Sequence, residues 1–284
     1  MAWLSWDKLC QSKEKGRMGF KQLKQFNLAL LAKQGWRIQM KHDFLVYRVL
    51  KAKYFPKCDF INASIGNNPW FTWRSILAAQ NLVRFGMRWR IENGVQVNVW
   101  GDKWLPSPTT FQVSSPRLFL HTDTWICELI NKEEATWKNE VLDALFLPHE
   151  VEVIKSIPLS SWFPSDIQIW AHNSNGVFSV WSAYYGALQL YRPNNTGMCL
   201  DDSLNRHFWK HLWKLSVPHK IIHFAWRACR DILPTKSSLM RRKVLQEGRF
   251  EGFNQEEETT GHLFWTCPRA RELWLCLNGF LGWD

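Results

Sequence analysis

Apolar residues recur along this chain with two periods, and the switches between them mark its elements. From Lys21 onward, Leu23, Phe26, Leu30 and Leu31 follow at steps of three and four, the spacing of one helix face. Asn27 and Gln34 lie off that face, and Gly35 marks the expected helix end. A second helix is predicted over Asp43–Tyr54, with Phe44, Val46, Tyr47, Val49 and Leu50 as apolar positions and Pro56 as its stop. Trp70–Leu77 reads as a short helix with aromatic anchors. Trp125, Ile126, Leu129 and Ile130 form one helical patch, and Trp137, Val141, Leu142 and Leu145 another. Trp181 to Tyr185 starts a further helix.

The period changes to two in Met87–Trp100. Val95, Val97 and Val99 share one face there, and Asn93-Gly94 is a strong signal for a tight hairpin turn. A second hairpin fits Asp166–Trp170, a turn at Asn173–Gly176, and Val177–Val180.

The last third is helical again. Leu204–Lys214 places Phe208, Trp209, Leu212 and Trp213 at helical spacing, and Ser216-Val217-Pro218 breaks it. Proline suits the first turn of the next helix. That helix has Ile221, Ile222, Ala225, Trp226, Cys229 and Ile232 on its expected inner side, with Lys220, Arg227 and Arg230 outward. Thr235 is placed to cap a third helix running through Leu239 and Val244. The expected fold class is mainly α with small antiparallel β-hairpins (α+β). Residues 192–203 read as a linker, and the pattern divides the chain into 1–105, 106–200 and 201–284.

Charge sharpens this picture. The 284 residues carry a net charge of +11, unevenly spread. Residues 1–60 hold 13 Lys and Arg against 4 Asp and Glu, and residues 205–249 hold 11 against 2. The stretches 61–204 and 250–284 are mildly acidic. Two basic blocks point to an acidic partner, such as nucleic acid or a membrane surface. The 46% hydrophobic content rules out a disordered chain, and 19 Trp against 5 Tyr are rings destined mainly for core packing. Seven scattered Cys, with no C-x-x-C pair, suit a reducing compartment. No signal-peptide pattern or membrane-length apolar run is present, so the expectation is an intracellular protein, nuclear or cytoplasmic, without a membrane partner.

Catalytic chemistry is hard to find. No nucleotide cradle, nucleophile triad or paired-metal carboxylate set is visible. Cys199-Leu200-Asp201-Asp202 has two adjacent carboxylates but lacks the flanking apolar strands that a polymerase turn requires, so it reads as a polar loop. His207, His211, His219 and His223 include pairs at i, i+4, but Pro218 separates them and surface roles are expected. Phe250-x2-Phe253-x8-His262-x4-Cys267 has the spacing of a small metal knuckle. Only His262 and Cys267 can ligate, since phenylalanine offers no lone pair.

Several words of the chain occur together in a known order. Ala32-Lys33-Gln34-Gly35-Trp36, Val49–Pro56, Thr72–Ile76 and Val99-Trp100-Gly101-Asp102-Lys103-Trp104-Leu105-Pro106 are among them. So are the Gly176–Tyr184 word, Trp213–Ile221, Phe224-Ala225-Trp226-Arg227, Leu233-Pro234-Thr235 and Glu258–Trp274. Together they resemble the region after the polymerase domain in plant LINE-type (non-LTR) retrotransposon reverse transcriptases, including its C-terminal zinc-binding module.

The resemblance implies a helical zinc-binding-like domain at 201–284 and a Cys-x2-Cys…His-x4-Cys ligand set. His262 and Cys267 match the second pair; Phe250 and Phe253 stand where the first is expected. Three readings follow: a dead site filled by the rings, a weakened site recruiting Cys276, Glu251 or water, or substitutions in a decaying element copy. No cofactor is therefore expected, although the family uses zinc. It also implies a non-catalytic piece lying between polymerase and RNase H domains, or a stand-alone relic of it. Such a piece would hold RNA or DNA through Lys220, Arg227, Lys236, Arg241, Arg242 and Lys243. The alternative is a spacer packing on polymerase or RNase H neighbours.

Overall fold

The computed structural model describes residues 4–107, 110–116, 124–191, 203–246 and 257–281. Its helices in chain order are α1 (Trp6–Cys10), α2 (Leu23–Met40), α3 (Leu45–Tyr54), α4 (Phe71–Leu77), α5 (Gln80–Gly86), α6 (Asn139–Leu145), α7 (Pro148–Lys155), α8 (Val180–Leu190), α9 (Ser203–Lys214), α10 (His219–Cys229), α11 (Lys236–Arg241) and α12 (Pro268–Leu281). Four short strands, β1 (Met87–Arg90), β2 (Ile130–Asn131), β3 (Thr136–Trp137) and β4 (Ile167–Trp170), form two antiparallel pairs. The fold is mainly α with small antiparallel sheets, as expected. No described helix is long and apolar enough to cross a membrane.

The chain groups into two compact units: residues 23–196, and residues 1–22 together with 197–284. This differs from the three regions read from the sequence. The boundary at 105 is spanned by the pairing of β1 with β4, and the boundary at 200 lies outside the described residues.

In the unit of residues 23–196, α2 runs five residues past the expected stop. Gly35 is buried within it, and a β-carbon there would come within 2.8 Å of the Phe60 ring. The glycine is a close-approach residue, and helical bonding continues through it to Met40. Beneath α2, Trp73 is fully buried, stacked on Tyr54 at 4.9 Å and on Phe55 at 5.4 Å. Trp170 packs beside Ala29 and Ala183, and its indole N–H donates to Ser182 Oγ at 2.9 Å. A further cluster gathers Val97, Val99, Trp104, Leu129, Leu142 and Ile154.

Neither expected hairpin forms; the first strand of each pairs with the other. β1 runs antiparallel to β4, with Met87 opposite Trp170 and Arg90 opposite Ile167. The Asn93-Gly94 turn is present, with Gly94 at φ +68°. Its amides turn to a carboxylate from far along the chain. Asp166 Oδ1 accepts from the N–H groups of Glu92 (2.8 Å), Asn93 (3.2 Å) and Gly94 (3.0 Å), and Oδ2 from Gln96 (3.2 Å). That anchor sets Ile167–Trp170 alongside Met87–Arg90 and takes the amides a local hairpin would use. Val97 and Val99 are buried but Val95 is exposed, so the three do not share an environment. The patch expected to be helical at Trp125–Ile130 is a 3-10 turn over Ile126–Leu129 leading into β2.

The second unit joins the two ends of the sequence. Trp209, Leu212, Ile222, Trp226 and Ile232 form its core, with Leu4, Leu9 and Met18 packed against them. Gly16, at φ +66°, is the keystone. Its carbonyl accepts from Trp226 Nε1 at 3.0 Å and from Arg230 Nε at 2.8 Å. A β-carbon at Gly16 would collide with Trp209, so no other residue fits without rearrangement.

Candidate nucleic-acid interface and metal centre

Helix α10 begins immediately after Pro218 and buries Ile222 and Trp226 on one stripe. Ile221 and Cys229, expected inside, are exposed, because the face touching α9 is narrower than the apolar pattern. Arg230 also departs from expectation. It turns inward, donates to the carbonyls of Gly16 and Lys15, and lies 4.6 Å from the centre of the Trp209 ring. The opposite stripe carries Lys220, Phe224 and Arg227, all exposed and spaced i, i+4, i+7 along one face.

Phe224 leads into an aromatic cleft. Its ring meets Phe264 edge-on at 5.7 Å, and Trp265 stacks on Trp274 at 5.4 Å with planes 13° apart. These rings, with Ala228 and Cys229, wall a cavity of about 520 Å3. Trp265 is 65% exposed, unusual for an indole among other rings. Burial pushes the Cys229 thiol up from its ordinary value.

The remaining predicted basic residues follow on α11. Thr235 caps this helix, its Oγ1 accepting from Ser238 N at 3.3 Å. Lys236 is half-buried, and its backbone N–H donates to Glu258 at 3.0 Å. Arg241 pairs with Asp231 at 2.8 Å and also donates to Ser238 Oγ at 3.2 Å. The Asp231 carboxyl is held below its usual range by the Thr260 hydroxyl at 2.8 Å and by Arg241. Arg241 and Arg242 line a polar hollow of about 280 Å3 with Asp231 and Ser238. Lys243 follows the helix in a left-handed conformation and is exposed. The structure therefore brings Lys220 and Arg227 together on one face and Arg241 and Arg242 around one hollow. Arg241 is already partly neutralised.

His262 and Cys267 are both buried and bracket a single helical turn, with Cys267 N donating to His262 O at 2.9 Å. His262 Nδ1 is 3.3 Å from Thr266 Oγ1. Phe250, Phe253 and Glu251 lie outside the described residues, as does the 199–202 tetrapeptide. Among the described residues, no three His, Cys, Asp or Glu side chains gather as metal ligands. Two donors are half of a closed tetrahedral set, and phenylalanine supplies none at the other two positions. The donor set written in this sequence does not fit a closed zinc site. His207, His211 and His219 are exposed, and His223 packs edge-on to Trp213 at 6.2 Å.

The aromatic cleft and the Asp231–Thr260–Arg241 node were not foreseeable. Their members come from α10, the turn after it at Asp231, α11 and residues 260–274, and no local spacing links them.

The family described as "zinc-binding in reverse transcriptase" matches residues 178–274. An "Uncharacterized mitochondrial protein" of Arabidopsis thaliana is 40% identical over 110 residues, covering 38% of this chain and 71% of that protein. A "Putative ribonuclease H protein" of the same plant is 24% identical over 284 residues, covering 96% of this chain and 43% of that protein. The chain thus spans less than half the length of this second relative. No solved structure matches. These likenesses define the class as retrotransposon-derived proteins. Within it, the chain belongs to the family that carries the reverse-transcriptase zinc-binding domain.

Proposed function

We propose that this chain is a non-catalytic, nucleic-acid-binding region of a LINE-type (non-LTR) retrotransposon reverse transcriptase, following the polymerase domain and acting inside the cell, in nucleus or cytoplasm. One observation carries the reading: the exposed Lys220–Phe224–Arg227 stripe beside the aromatic cleft of Phe264, Trp265 and Trp274. Cations that track phosphates next to rings that stack bases are the combination that holds single strands without reading sequence. Lys236, Arg241, Arg242 and Lys243 extend the cationic surface. Phosphate contacts of this kind release counterions, so binding weakens steeply with salt. The test is fluorescence anisotropy with single-stranded RNA and DNA of mixed sequence at low and moderate salt. Weak, sequence-tolerant and salt-sensitive binding is expected; affinity unchanged between the two salt conditions counts against the proposal.

A second reading is favoured by a different observation. Phe71 is 82% exposed and Trp162 is 90% exposed in the unit of residues 23–196. Rings that open to water fit a role as a packing surface for a polymerase or RNase H domain. Stable association with such a domain at high salt, without nucleic acid, would select this reading.

A further inference from the structure

A cavity of about 570 Å3 opens beside β1, within the unit of residues 23–196. Arg88, Trp89 and Arg90 of the strand form one wall, Trp104 and Pro106 another, and Ser160 belongs to the 156–160 stretch that also lines it. A space of that size suits a mononucleotide-sized ligand.

The chemistry of the wall centres on Arg88. A guanidinium offers five N–H donors in a planar fork. Arg88 Nη1 donates to Trp104 O at 3.4 Å, and the Phe111 ring lies 5.9 Å away. Its Nε is buried with no hydrogen-bond partner among the described residues, and no carboxylate there pairs with it. The acid on the wall, Glu92, is engaged by Arg90 at 2.9 Å. Burial pushes the Arg88 guanidinium below its ordinary value. A cation withdrawn from water is costly until a counter-charge arrives. The strand that carries it is held in place, since Trp89 N donates to Lys103 O at 2.7 Å on the edge away from β4. Ser160 Oγ accepts from Trp162 N at 3.3 Å and keeps its own proton to donate.

We infer that this cavity takes the phosphate group of a nucleotide, with Arg88 and Ser160 on the phosphate and the Trp89, Trp104 and Pro106 wall around the organic body. The shared chemistry admits two sources: a free mononucleotide, or the terminal phosphate of a strand. The site does not depend on the Lys220–Phe224–Arg227 stripe.

The test is calorimetric titration of the intact chain with AMP, adenosine, inorganic phosphate, and a short oligonucleotide with or without a 5′-phosphate. AMP is expected to bind saturably and adenosine about tenfold more weakly or worse, since the charged fork is the main contact. Binding of AMP identifies the free nucleotide. Binding of the oligonucleotide only when 5′-phosphorylated identifies the strand end, and either result supports the site. Arg88→Met keeps the apolar stem and removes the charge. It should lose about tenfold or more in phosphate-dependent affinity while Tm holds or rises. Arg88→Lys keeps the charge and loses the fork, and should fall in between. Lys220→Gln with Arg227→Gln should leave AMP affinity unchanged, which separates failure of this site from failure of the basic stripe. The inference is overturned if no probe shows phosphate-dependent binding to the unaltered chain. It is equally overturned if Arg88→Met or Arg88→Lys binds as tightly as the original.

Discussion

Residues 23–196 enclose three of their indoles almost wholly and leave Phe71 and Trp162 open, whereas the unit joining residues 1–22 to 197–284 sets Phe224, Trp265 and Trp274 around one cleft. Trp73, Trp104 and Trp170 are almost wholly enclosed. In the other unit, Trp209 and Trp226 fill a small core, while Phe224, Trp265 and Trp274 are open to solvent. The polar groups divide in the same way. Asp166 and Glu150 are buried carboxylates that accept from backbone amides far away in sequence, and so fasten loops of the first unit. Asp231, the acidic anchor of the second unit, is exposed and pairs with a surface arginine. Both units use indoles and carboxylates to hold structure, and the second also gathers three part-exposed rings around one cleft. Composition alone could not separate these uses.

The comparison can be broken most strongly through the metal site. Phe250→Cys with Phe253→Cys restores four donors at the family's spacing. If the second unit keeps that architecture, this variant gains stoichiometric zinc and up to ~10–16 kcal/mol of metal-linked folding energy. The unaltered chain should hold no tight zinc after dialysis against a mild chelator. Atomic absorption decides both, and stoichiometric zinc in the unaltered chain would sink the expectation.

A smaller effect belongs to the first unit. Asp166→Ala leaves four turn amides without their acceptor and should cost about 2–4 kcal/mol. Urea denaturation measures it, and a loss under about 0.5 kcal/mol would mean that water replaces the carboxylate without penalty. For the basic stripe, Lys220→Gln with Arg227→Gln should reduce the log–log salt slope of single-stranded RNA binding by about 1.4 and leave urea stability nearly unchanged. An unchanged slope would remove these residues from the interface.

The smallest effect is a pH dependence. Burial first, and then Lys103, lower the His172 pKa from its ordinary value. The unfolded chain therefore takes up this proton first as pH falls. The stability contributed by neutral His172 is full above the unfolded value and is lost as pH drops through the lower folded value, with a slope of at most about one proton. His172→Phe should flatten that part of the pH–stability curve. The same slope in the variant would assign the effect to another group.

Much of the helical fold was legible because its causes are local. Pro218 opens α10, Thr235 caps α11 and Pro56 follows α3, each as local chemistry dictates. Strand pairing was not legible in this way. Asn93-Gly94 does turn, yet its partner is Asp166, more than 70 residues away, and period-two patterning says nothing about which strand comes alongside. Gly35 carried the local sign of a helix end, and contact with Phe60 overrode it. At the candidate interface, Lys220 and Arg227 could be placed by helical period. Arg230 could not, because its partner carbonyls belong to residues 15 and 16.

Synthesis on the ribosome gives that last pairing a temporal meaning. Residues 23–196 emerge as an uninterrupted stretch and can close their core while the rest is still being made. The strap around Gly16 emerges earlier but must remain undocked until Trp226 and Arg230 follow. At ~5–20 residues per second, that wait lasts roughly 10–40 s. During that time Leu4, Leu9 and Met18 wait without the core of Trp209 and Trp226 that they pack against.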